Sequence, residues 1–172
     1  GILLFQIVHS QEKYLPGYVI NLKGDTLYGF IDYRDWKINP DKIDFKEKTE
    51  NKQITYHTSD IIEFKVKDEL YVSAVVKIET SPRNTADLNY DKAMHLQVEA
   101  TFLQTIYKGR KSLYHYFFLG NDYFYIKQDK AFELLLYKRY LNGKGDNSIL
   151  NENNAYLGQL EIYLQDCPGI EA

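Results

Sequence analysis

The chain has 172 residues, 44% of them hydrophobic and 26% charged, the balance of a globular protein able to bury a core of its own. A formal net charge of -3 supplies no general attraction for a polyanion, which argues against nucleic acid as a partner. Aromatic residues reach 15%, with 16 Tyr and 9 Phe against 4 Pro; such side chains fit a pleated, half-buried surface, and they predict a mainly β fold.

The first ten residues carry a short apolar run, Ile2 to Val8, ending in Val8-His9-Ser10 before Gln11. This reads as the remnant of a signal peptide over residues 1–10, with processing between Ser10 and Gln11, and it predicts export to the periplasm, the outer surface or the medium. The alternative is a buried first strand. The run is too short to span a bilayer, which takes about 20 apolar residues, so no transmembrane span is expected.

Residues 11–80 read as consecutive hairpins. Tyr18 to Leu22 and Thr26 to Arg34 flank the turn Lys23-Gly24-Asp25, and in the second strand Leu27, Gly29, Ile31 and Tyr33 form the expected core face. Gly29 in mid-strand predicts a bend or bulge. Asp35 to Pro40 is a loop whose Trp36 either caps the core or is displayed. Lys42 to Glu47, Gln53 to His57, Ile61 to Val66 and Leu70 to Glu79 follow as strands, the last with Val72, Ala74, Val76 and Ile78 on one face. Turns at this spacing suggest an SH3-like small barrel or a curved antiparallel sheet.

Residues 81–94 form a polar connector, with a short helical turn expected from Thr85. Residues 95–172 are expected to hold a four-stranded β-meander and a closing helix. Its three turns lie at Lys108-Gly109-Arg110, Gly120-Asn121-Asp122 and Gln128-Asp129-Lys130. Leu113, His115 and Phe117 alternate with Tyr114, Tyr116 and Phe118, and Tyr123 and Tyr125 alternate with Phe124 and Ile126. Both faces of the meander are therefore apolar, and the second needs a cover. From Asn151 to Asp166 the period changes: Tyr156, Leu157, Leu160, Tyr163 and Leu164 recur at helical spacing, with Asn153 or Asn154 as N-cap and Pro168-Gly169 as the stop.

The stretches Gly17-Tyr18-Val19-Ile20, Lys23-Gly24-Asp25-Thr26, Tyr71-Val72-Ser73-Ala74, Gly109-Arg110-Lys111-Ser112-Leu113-Tyr114 and Leu164-Gln165-Asp166-Cys167-Pro168, behind the leader, resemble a group of uncharacterised exported β-rich proteins of bacteroidete-type bacteria. The resemblance spans most of the chain. It implies export and no particular activity.

Templates for chemistry are sparse. His9, His57, His95 and His115 are far apart in sequence, with no paired-histidine helix for zinc. His57-Thr58-Ser59-Asp60 reads as a turn that bonds its own backbone. No nucleophile elbow, phosphate loop or dinucleotide fingerprint occurs, so no catalytic residue, metal site or cofactor is predicted. The lone Cys167 reads as a small hydrophobe, or as half of an intermolecular bridge. The remaining candidate is aromatic: Tyr114, Tyr116, Tyr123 and Tyr125, with Trp36, as a surface for a glycan or small ligand. The preferred expectation is a non-catalytic exported module of the cell envelope, acting through a protein partner. A tyrosine-face ligand binder comes second, and a hydrolase with an unrecognised site third.

Overall fold

The computed structural model describes residues 13–143 and 145–167; the expected signal-peptide remnant and the Pro168-Gly169 stop lie outside them. Ten strands form one antiparallel sheet: β1 (Tyr14–Asn21), β2 (Thr26–Asp32), β3 (Lys42–Lys46), β4 (Ile54–His57), β5 (Ile61–Val66), β6 (Glu69–Glu79), β7 (Leu96–Tyr107), β8 (Leu113–Phe118), β9 (Asn121–Gln128) and β10 (Ala131–Leu134). Their order is β10-β9-β8-β7-β6-β5-β1-β2-β3-β4. A second ribbon pairs β11 (Lys138–Asn142) with β12 (Ile149–Asn153), and the chain continues into helix α1 (Tyr156–Leu164). The mainly β class with one C-terminal helix is as expected. The small barrel is not: no barrel closes, and the sheet runs without interruption from β6 into β7 through nine register pairs, Tyr71↔Gln104 to Glu79↔Leu96.

A sheet must bury at least one face, and here each half buries a different one. Val19, Ile31, Ile43, Phe45, Phe64, Tyr71 and Phe102 form one core. Ala74, Val76, Ile78, Leu103, Tyr114, Tyr116, Tyr123, Tyr125 and Leu134 form the other. Phe102 and Leu103 are neighbours in β7, and successive strand residues point to opposite faces. The two cores therefore lie on opposite sides of the same sheet. The expected core face of β2 and the shared face of Val72 to Ile78 are both seen, in the first and second core respectively.

Trp36 caps the first core, edge-on to the rings of Tyr33, Phe64 and Tyr71 at 5.1, 5.8 and 5.7 Å. Gly29 marks a close approach: a Cβ there would lie 2.3 Å from the Lys46 carbonyl oxygen and 2.5 Å from the Phe45 ring. Asn39, in the same loop as Trp36, wedges into the sheet where β7 and β8 part. Its amide donates to the carbonyls of Phe102 (2.8 Å) and His115 (3.0 Å), and its oxygen accepts from the Phe117 N–H (3.0 Å). One side chain thus does the work of a missing peptide group between two strands.

Three elements differ from the sequence expectation. The fourth meander strand breaks after Leu134, and Lys138 to Asn142 leaves the sheet to pair with β12. The helix begins at Tyr156, because 149–153 are taken into β12; Ala155 occupies the N-cap and makes no side-chain cap bond. In the connector the helical turn spans Thr85–Asp87, but Asn84 caps it by accepting from the Ala86 N–H.

Replacing Asn39 by Ala leaves three part-buried backbone groups without their partner; a fully buried one costs about 1–3 kcal/mol, and water reaches these in part, so Asn39→Ala should lower stability by about 2–4 kcal/mol. Gly158 lies mid-helix with nothing within 4 Å of its virtual Cβ, so Gly158→Ala should raise stability by about 0.5–1 kcal/mol. Urea denaturation of both variants measures the opposite signs.

Candidate functional site

The four tyrosines expected to form a ligand surface are interior. Tyr114, Tyr116, Tyr123 and Tyr125 are 6, 7, 4 and 0% exposed and belong to the second core. The physical reason is curvature: β10 approaches β6 without pairing to it, so the tyrosine face is enclosed by the sheet's own far strands. The Tyr125 hydroxyl crosses that interior to donate to the Lys77 carbonyl (3.0 Å), and the Tyr123 hydroxyl donates to the Glu79 carbonyl (2.8 Å). These rings are internal struts. Trp36 is likewise committed to packing.

The cover of the opposite face is α1. Leu113 and Ile126 face each other across β8 and β9, as do His115 and Phe124. Nine residues make a helix too short to be stable alone, and it is held by docking. The Gln159 side chain accepts from the Leu136 N–H (2.8 Å) and donates to the Leu134 carbonyl (2.9 Å). The Tyr163 hydroxyl accepts from the Ser112 N–H at 2.8 Å. At its C-terminal end, Asp166 pairs with Arg110 (2.5 Å) and Lys111 (3.0 Å), which hold its carboxyl below the ordinary carboxylate range.

Ile126 is buried on this face, and beside the narrow helix lie two clefts that share Leu113 and Leu160 in their walls. One cleft, of about 430 Å³, is lined by Tyr107, Lys111, Leu164 and Cys167 among others. The other, of about 470 Å³, is lined by Arg83, Asp122, Phe124, Leu135, Tyr137 and Tyr156. Tyr137 donates to Glu152 at 2.8 Å, and burial, then that bond, raises its phenol above its ordinary value. Asp122 reaches the His115 Nε2 at 2.7 Å, and that ring packs on Phe124 at 5.1 Å.

His57, by contrast, is exposed in its turn. Asp60 there accepts from the His57 backbone N–H at 2.7 Å, as the turn reading expects. No group of three or more His, Cys, Asp or Glu able to hold a metal occurs among the described residues. No helix among them is long and apolar enough to cross a membrane. Cys167 is half-buried beside Leu164. Nothing in the sequence marks Arg83 or Tyr137, and Tyr156 is expected only as part of the helical stripe; they lie in a polar loop, a strand break and a helix start, and only the fold brings them together. Comparison with family models, curated proteins and solved structures finds no match to this chain.

Burial raises the Tyr18 and Tyr33 phenols to about 12, with help from bonds to Glu63 and Glu69, and it raises Tyr116, Tyr123 and Tyr125 as well. A folded state that keeps these protons contributes stability that is complete below the ordinary value near 10 and is lost as pH rises through the raised values. Absorbance titration at alkaline pH should therefore show the interior tyrosines ionising only together with loss of the fold. Their ionisation near the ordinary value in a folded chain would show an open face instead.

Proposed function

We propose that this protein is a non-catalytic, exported binding module of the cell envelope, and that its working surface is the meander face which α1 covers incompletely. One observation carries the binding reading: a strongly apolar face of β8 and β9 is crossed by a helix of nine residues, leaving two clefts beside it. Clefts of several hundred Å³ with mostly apolar walls and a few polar groups are the usual form of a binding site. Export is supported by the apolar run before Gln11 and by the resemblance drawn from the sequence.

A second reading, a hydrolase with His115 as base, is favoured by the 2.7 Å contact between His115 and Asp122 beside the larger cleft. Against it, Asp122 is 60% exposed. No Ser, Thr or Cys side chain bonds to the His115 ring among the described residues. The pair also has a structural use, since it joins β8 to β9 at the end of their hairpin.

Mass spectrometry of the protein from the cell-envelope fraction should find Gln11 as the first residue; an intact segment before it would count against processing at that point. A photo-crosslinking residue at Phe124, in the cleft, should give a discrete adduct in intact cells, and one at Tyr28, 75% exposed on β2, should give none. The adduct should persist in His115→Asn. Equal labelling from both positions would remove the proposed surface, and loss of the adduct in His115→Asn would favour the catalytic reading.

A further inference from the structure

The two clefts differ in charge compensation. In the smaller one both cations, Arg110 and Lys111, are paired with Asp166. In the larger one Arg83 has no carboxylate within ion-pair distance among the described residues. Its planar group lies over the rings of Tyr123 and Tyr137, 4.5 and 5.7 Å from their centroids. One Nη donates to the Asp122 backbone carbonyl at 2.9 Å. Its Nε is buried and has no hydrogen-bond partner. The nearest acidic side chain on the cleft wall, Asp122, is engaged by His115, and Glu152 is engaged by Tyr137 and Arg139.

A guanidinium carries five N–H donors in a planar fork matched to a carboxylate. A half-buried one that stacks on two rings, lacks a counter-charge and leaves a buried donor unmet is a poor structural element and a good receptor. Around it the cleft is apolar: Phe124, Leu135, Tyr156 and Leu160 supply two rings and two aliphatic side chains. A volume of about 470 Å³ suits a small organic molecule.

We propose that this cleft binds a small amphipathic carboxylate, with the acid group on Arg83 and an aromatic or branched apolar body against Phe124, Tyr156 and Leu160. The proposal rests on the binding reading above and adds the ligand class and the residue that selects it. Neutral analogues lose the fork contact, and phosphate or sulfate alone lacks the apolar body.

The test is an amide chemical-shift titration of the whole protein with hydrocinnamate and, separately, with its neutral counterpart hydrocinnamamide. Hydrocinnamate should shift Asp122 to Phe124, Leu135 to Tyr137 and Tyr156 to Leu160. It should bind at least about tenfold more tightly than the neutral amide, the size expected of one charge-assisted contact. Arg83→Gln should remove that preference, and Lys23→Gln, in the exposed turn between β1 and β2, should leave it unchanged. Should Arg83→Gln fail to fold, Arg83→Lys keeps the charge without the fork and should bind with intermediate affinity.

Equal binding of acid and amide, unchanged acid binding by Arg83→Gln, shifts confined to Lys111 and Leu164, or no shift with either probe would each overturn the proposal. A cleft-specific adduct from Phe124 alongside such a result would leave the broader binding reading standing.

Discussion

The structure depends on the ladder between β6 and β7. Nine consecutive residue pairs join these strands, and both supply side chains to both cores: Tyr71 and Phe102 to one, Ala74, Val76, Ile78 and Leu103 to the other. Strand alternation makes this unavoidable, since a one-residue slip would send every one of these side chains to the wrong face. Neither half of the sheet can shift its register alone. Asn39 extends the same constraint to β8 from a loop that also carries Trp36, so the cap of the first core and the frame of the second are fastened by one loop.

From this follows a physical account of the tyrosine content. A single sheet that curls to enclose its own core has a wide interior and few opposing layers to fill it, so large side chains are required. Beyond Val72, β6 has a strand partner on one side only. Phenylalanine would fill the space, but only tyrosine also donates to the carbonyls of Lys77 and Glu79 in that stretch. Buried carbonyls without a donor are costly. The rings that looked like a recognition surface are the means by which an unclosed sheet satisfies its edge.

The legible parts were those governed by near neighbours in sequence. Hairpin turns, the core face of β2, the shared face of Val72 to Ile78 and the two-faced apolarity of β8 and β9 all follow from period-two alternation. What alternation cannot convey is which face curvature encloses, because that depends on β10 approaching β6 from more than fifty residues away. The same limit explains the helix start. Asn153 and Asn154 carry capping chemistry, but pairing with Lys138 holds Asn153 in β12. Arg83 had no local signature at all; its surroundings come from β9, the break after β10 and α1.

The molecule therefore joins a rigid frame to a loosely held cover. Helix α1 lacks a side-chain cap, contains Gly158 and buries only Tyr163, whereas the β6–β7 ladder is shared by both cores. Native-state hydrogen exchange measures this division directly. Ladder amides from Val72 to Val76 and from Ala100 to Leu103 should exchange only through one global opening common to both cores, and α1 amides should exchange through a local opening of clearly lower free energy. Two separate openings, one for each core, or a helix protected as strongly as the ladder, would contradict the account.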